Sequence, residues 1–174
     1  MTSLRRSIVV SVLFTLFGGP GLTLVIGPWL ITKFRMPAHE PLAQIVAAAA
    51  LIGIGLTPLM ESIVRFIRVG RGTLMPVVPT EHLVVSGLYR YVRNPMYVGV
   101  VTALAGEILL FWNRDLLIFA AVVWLGMHLF VCFYEEPRLS RTYGEEYARF
   151  RQNVPRWIPR VSPWHFETAT FVGE

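Results

Sequence analysis

Residues 94–137 read NPMYVGVVTALAGEILLFWNRDLLIFAAVVWLGMHLFVCFYEEP, and this stretch decides the fold. It holds two apolar runs, 95–111 and 116–134, whose interiors carry one acid, Glu107, and one histidine, His128. At about 1.5 Å per residue, a helix over either run crosses most of a hydrocarbon core about 30 Å thick. Trp112-Asn113-Arg114-Asp115 between them is a tight polar connection, so the two runs predict an antiparallel helical hairpin. Asn94 is a good N-cap residue, and Pro95 at the first helical position forfeits no needed hydrogen bond, which sets the start of the first run.

Working outward, two further spans are expected upstream. Residues 8–32 carry no charge and are long enough to cross even after interruption at Gly18-Gly19-Pro20-Gly21, where a kink is expected. Arg5 and Arg6 mimic the basic start of a signal peptide, but the apolar run is too long and lacks a well-placed small-x-small cleavage site, so a retained helix is expected. Residues 42–60 form the remaining span, ending at Glu61 and followed by Arg65, Arg68 and Arg71 as a basic juxtamembrane segment. Gly70 to Pro79 reads as an irregular loop.

The expected fold class is therefore all-α, a polytopic membrane helical bundle of about four transmembrane helices (8–32, 42–60, 95–111 and 116–134) in a single domain. Its C-terminal segment, 135–174, is cytoplasmic. Composition agrees: 54% of the 174 residues are hydrophobic and 16% charged, more apolar surface than a soluble domain of this size can hide. On this topology 13 of the 16 basic residues face one side; Lys33, Arg35 and Arg114 face the other. The positive-inside rule then places both termini in the cytoplasm. The net charge of +5 suits anionic lipid headgroups rather than nucleic acid. A single cysteine, Cys132, excludes a disulfide framework and a cysteine-rich metal site, and no metal is expected.

Two polar clusters lie at the cytoplasmic ends of the hairpin. Gly87-Leu88-Tyr89-Arg90-Tyr91-Val92-Arg93-Asn94-Pro95-Met96-Tyr97 leads in, and Tyr134-Glu135-Glu136-Pro137 leads out. A hairpin brings these clusters together. If the turn before Pro95 is helical, Arg90, Asn94 and Tyr97 point toward the carboxylates; otherwise Arg90 and Arg93 are headgroup anchors and Asn94 a cap. Acids at a helix C-terminus oppose the macrodipole at a cost of up to about 1 kcal/mol, so Glu135 and Glu136 call for a compensating cation, either an arginine of the first cluster or a positively charged ligand. His128, seven residues before Glu135 and therefore on the same α-helical face, is a candidate base or an interhelical hydrogen-bond partner. Glu107, nearer the outer end, is kept out of the site. Tyr143, Tyr147 and Phe150 at i, i+4, i+7 make 143–153 an interfacial amphipathic helix, either lying on the membrane or covering the site.

Taken together, Gly87-x-Tyr89-x-x-x-Arg93-Asn94-Pro95-x-Tyr97-x-Gly99, Glu135-Glu136-Pro137, Tyr143-Gly144-x-x-Tyr147 and Val154-Pro155-Arg156-x-Ile158-Pro159 resemble the membrane methyltransferase superfamily of isoprenylcysteine carboxyl methyltransferases and phospholipid N-methyltransferases. The resemblance covers roughly residues 53–159. It implies S-adenosyl-L-methionine as methyl donor and a membrane lipid or lipid-like acceptor, in a multi-pass protein of the bacterial inner membrane. Tyr89, Arg90, Asn94, Pro95, Tyr97, Tyr134, Glu135 and Glu136 are the expected cofactor-binding residues. Glu135, His128 and Arg93 are the expected catalytic ones. Gly53-Ile54-Gly55 looks like the Gly-x-Gly that phospholipid methyltransferases associate with cofactor binding, but Gly-x-Gly in a membrane helix is more often a packing groove, and that is the reading expected here. Asn94 stands where isoprenylcysteine methyltransferases typically have histidine, so the resemblance does not choose the acceptor. Two other classes fit the same outline, an NADPH-dependent membrane reductase of related fold and a non-catalytic membrane scaffold.

Overall fold

The computed structural model describes residues 19–38, 41–68 and 83–165, and every regular element among them is helical. The first half of the 8–32 span, the loop expected at Gly70 to Pro79 and the last residues of the C-terminal segment lie outside the described residues.

Helix α1 spans Leu22–Thr32 and opens with a π turn, Leu22–Ile26, directly after the Gly/Pro cluster that predicted a kink. It stops where Lys33 and Phe34 adopt left-handed backbone angles. Helix α2, Leu42–Arg68, runs two turns beyond the expected end at Met60. Glu61, Ser62 and Arg65 extend it because they pair and bury at helical spacing, with Arg65 Nε donating to Glu61 Oε1 at 2.6 Å and Ser62 fully buried. Helix α3 is Pro95–Phe111, as expected. Trp112 in the left-handed region ends it, and Asn113 Oδ1 accepts from the amides of Asp115 (2.8 Å) and Leu116 (3.0 Å) to cap helix α4, Arg114–Phe130. The short polar connection thus works as a stop followed by a cap.

The outgoing helix differs from expectation. It does not end at Tyr134: a π turn, Val131–Glu135, continues into helix α5, Glu136–Asn153, and the whole apolar-to-polar rod covers Arg114–Asn153. Glu136 therefore sits in the first turn of a continuing helix, and the expected C-terminal dipole penalty does not arise. The amphipathic helix expected from Tyr143 starts at Glu136 instead. Its break falls at Gly144 (φ 52°, ψ −122°), a conformation that an L side chain tolerates poorly.

Helices α2 and α3 form the tightest pair because glycines let their backbones touch. A Cβ on Gly99 would lie 2.5 Å from the Gly55 carbonyl oxygen, and one on Gly106 would lie 2.8 Å from that of Ala48. Gly55 is thus half of a packing groove, as small residues commonly are between apolar helices, whereas Gly53 faces open space. Gly99→Val is expected to cost about 1–3 kcal/mol through forced separation of the two helices, read as a lowered melting temperature in detergent.

Two of these helices, Leu42–Arg65 and the rod from Arg114, are long and apolar enough to cross a membrane, and little of their apolar stretches is covered by protein. Two hydrophobic clusters hold the fold together. Leu59, Val100 and Leu104 with Phe119, Val123 and Met127 fill the bundle. At its polar end Tyr89, Val84, Tyr147, Phe150 and Val154 form a second core, which seats α5 and the segment after it.

Candidate active site

Four segments meet at the polar end of the bundle: the 3₁₀ turn Gly87–Arg90, the start of α3, the π turn of the outgoing rod, and an irregular strap over residues 154–164. The strap is bonded to the chain before α3 by main-chain hydrogen bonds of 2.9 Å, from Arg93 N to Pro155 O, Arg160 N to Tyr91 O and Trp164 N to Arg90 O. These bonds satisfy main-chain amides that lie outside any helix.

The adjacent carboxylates do different things. Glu136, buried, takes Arg156 in a two-pronged fork, Nε to Oε1 at 2.6 Å and Nη2 to Oε2 at 2.8 Å, and accepts Arg93 Nη1 on Oε1 at 2.9 Å. It is the anion of a clasp joining the chain before α3, α5 and the strap, and the hydrogen bonds to it favour the charged Arg156, whose pKa is raised by Glu136. Glu135, one residue earlier in the π turn, instead accepts from the Tyr97 hydroxyl on Oε2 at 3.2 Å. Of the two cations considered for this acidic pair, the arginines answer Glu136; Glu135 is paired with a phenol.

The first cluster divides likewise. Asn94 occupies the cap position of α3, but at φ −123° and ψ 57° its side chain makes no capping bond; its Nδ2 donates to Arg156 O at 3.1 Å. This corrects the reading of Asn94 as a side-chain cap. The same non-helical turn breaks the spacing that would have aimed Arg90 at the carboxylates, and Arg90 Nε donates to Trp164 O at 2.9 Å. Pro95 is fully buried at the first position of α3. Tyr89 is buried between α2 and the π turn; burial holds its pKa above the ordinary 10.0, the Ser62 hydroxyl opposes that shift, and Glu135 and Glu61 add to it. Tyr134 is not brought into this group: it is exposed, stacks on Phe130 at 5.0 Å and accepts from Arg138 Nη1 at 2.9 Å.

His128 is held from both sides. The Trp157 indole, which can only donate, gives its N–H to His128 Nδ1 at 3.1 Å, and Cys132 Sγ lies 3.6 Å from Nε2. With Nδ1 accepting, the neutral ring carries its proton on Nε2. The imidazole also stacks on Trp124 at 5.3 Å, while Trp157 meets Tyr97 edge-on at 6.4 Å. The π turn changes the register between His128 and Glu135, and the two reach the site through different partners, Trp157 and Tyr97.

Three further residues belong to this region. Trp157 follows Arg156 in the tail, and nothing local to it signals its bond to His128. Glu61 and Arg65 stand at a span end and in a basic segment, although their i, i+4 spacing signals a pair; Arg65 Nη1 reaches Ser86 Oγ at 2.9 Å and anchors the 3₁₀ turn.

Tyr147 gives this end of the molecule a pH signature. Burial, then Glu136, pushes its hydroxyl from 10.0 up to about 12, with Arg93 opposing. The unfolded chain ionises first, so the stabilisation is complete below pH 10 and lost as pH rises toward about 12. A melting temperature that falls over this window, and falls less steeply in Tyr147→Phe, is expected.

The sequence model of phospholipid methyltransferases matches residues 43–146. Among curated proteins, the chain is 36% identical over 83 residues to a protein-S-isoprenylcysteine O-methyltransferase of Schizosaccharomyces pombe, covering 47% of this chain and 35% of that protein. It is 32% identical over 85 residues to a phosphatidylethanolamine N-methyltransferase of Phaeosphaeria nodorum, covering 49% and 9%. It is 28% identical over 137 residues to protein-S-isoprenylcysteine O-methyltransferase B of Arabidopsis thaliana, covering 77% and 62%. The chain thus spans less than two thirds of each relative's length. No solved structure matches it. The matched region contains both halves of the polar site, the Asn94-Pro95-x-Tyr97 entry and the Glu135-Glu136 exit, and the chain belongs to the phospholipid methyltransferase family.

Proposed function

We propose that the protein is an S-adenosyl-L-methionine-dependent membrane methyltransferase acting on a lipid or lipid-like acceptor. We place it as a bundle of four spans with both termini, and the polar end described above, on the cytoplasmic side. The observation that carries the reading is the Tyr97–Glu135 pair, a phenol bonded to a glutamate where the start of α3 meets the outgoing rod, inside the region matched by the family model.

The residues present fit the donor. Arg90 Nη2 and Arg93 Nε are buried without a hydrogen-bond partner among the described residues, as donors awaiting a carboxylate would be. Glu135 supplies an acceptor for an ammonium or ribose hydroxyl, and the ring faces of Tyr97 and Trp157 suit a cation. Bound there, S-adenosylmethionine supplies a methyl group already activated on a sulfonium. The protein's task is then alignment of the acceptor, with Tyr97 orienting Glu135 and the Glu136 clasp holding the strap against α3. With an amine or thiol acceptor, Glu135 is placed to take the proton released; with a carboxylate acceptor no base is needed.

Isothermal titration of S-adenosylmethionine and S-adenosylhomocysteine into the detergent-solubilised protein tests this directly. Saturable binding of both is expected. A folded protein that binds neither is not a methyltransferase of this kind.

A further inference from the structure

The strap over residues 154–164 follows the region matched by the family model and contains two features at odds with a segment lying in water. The first is depth. Asn94 bonds Arg156 O and Arg93 bonds Pro155 O, so the strap begins at the level where α3 starts and where Glu136 sits. From there Trp157 extends along α4 to His128, seven residues and about 10 Å of helix inside the end of the apolar run at Glu135. The strap then returns, with Arg160 N on Tyr91 O.

The second feature is what the tip leaves uncovered. Ile158 is 78% exposed and Phe133 on the outgoing helix is also 78% exposed. Pro155 and Pro159 flank the tip and have no amide N–H to leave unsatisfied in an apolar medium. Charge follows the same plan: Arg138 stands over the exposed Tyr134 ring at 5.9 Å, and Arg160 Nη1 is held on Asn153 O at 2.7 Å, so cations rim an apolar tip. An apolar tip carrying Trp and rimmed by Arg and Tyr is what the boundary between acyl chains and headgroups selects.

We infer that the strap re-enters the membrane: its tip, Trp157-Ile158-Pro159, sits at the headgroup–acyl boundary of the cytoplasmic leaflet, with Ile158 against lipid acyl chains. The occupant of this surface is bilayer lipid. Trp157, between His128 and Tyr97, then stands between that lipid and the Tyr97–Glu135 pair, which makes the tip the edge past which a lipid acceptor reaches the site. This last step rests on the methyltransferase reading; the insertion itself does not.

The test uses the full chain in a Cys132→Ser background, with single cysteines at Ile158 and, as an aqueous reference, at Glu145, which is exposed on α5. Each is labelled with an environment-sensitive fluorophore and reconstituted into phosphatidylcholine–phosphatidylglycerol vesicles whose acyl chains are brominated or not. The label at 158 is expected to lose about half its emission to the brominated chains and to be blue-shifted, and the label at 145 to be unaffected. Equal quenching at the two positions, high or low, overturns the inference. For the access step, Ile158→Glu is expected to raise KM for the lipid acceptor about tenfold and leave S-adenosylhomocysteine affinity unchanged; an unchanged KM overturns that step. Absence of S-adenosylhomocysteine binding by a protein whose label at 158 is quenched counts against the methyltransferase reading alone.

Discussion

Glu136→Ala is expected to destabilise the protein by about 3–5 kcal/mol, the largest effect of any single substitution in this region. The side chains of Arg93 and Glu136 are 9% and 8% exposed, so deleting the carboxylate leaves a buried guanidinium without its counter-ion and removes both bonds of the Arg156 fork. Arg156, 32% exposed, recovers part of its loss from water. The buried Arg93 recovers little. Among the described residues, the chain before α3, α5 and the strap share no other ion pair, so main-chain hydrogen bonds and the apolar core alone hold them together. Glu136→Gln, which can still accept, should lose less than Glu136→Ala. Tryptophan-fluorescence melting in detergent measures both. A melting temperature for Glu136→Ala within about 2 °C of the parent protein means that the clasp is solvated and the fold does not depend on it.

Glu135→Ala should instead spare the fold and abolish function. Its expected signature is a loss of about 100-fold in kcat/KM for methyl transfer at an unchanged melting temperature, because the residue positions the reacting groups rather than closing the structure. Tyr97→Phe removes one hydrogen bond to Glu135 and keeps the ring, so about a tenfold loss is expected. The contrast between neighbouring positions is the sharper test. If Glu135→Ala proves as unstable as Glu136→Ala, both acids belong to the clasp; if Glu135→Ala retains full transfer, the Tyr97–Glu135 pair is not the site.

Much of the fold was legible in local sequence. Asn94-Pro95 starts α3 and Trp112-Asn113 both ends it and caps α4, because capping is a property of a few consecutive residues. Of the Gly53-x-Gly55 pair expected as a packing groove, Gly55 packs against α3 and Gly53 does not. Where the reading slipped, the cause was phase. The α-helical spacing that grouped Arg90 with Asn94 and Tyr97 fails at the non-helical turn before Pro95, and the seven-residue spacing of His128 and Glu135 is altered by a π turn within the apolar run. Asn94 met every local criterion for a cap and is taken by Arg156 O, 62 residues away, because a buried amide must satisfy its polar atoms wherever partners lie.

By itself, then, the sequence determined an all-helical chain, its antiparallel hairpin, and the meeting of an Arg/Tyr/Asn cluster with a pair of acids. These follow from apolar run length, caps and connection length, all of which are short-range. Only the tertiary structure decided that Glu136 belongs to Arg93 and Arg156 while Glu135 belongs to Tyr97, and that Trp157 is bonded to His128. Those pairings join residues 20 to 43 positions apart, and they depend on helix phase and on the course of the strap, which a one-dimensional pattern of polar and apolar residues does not encode.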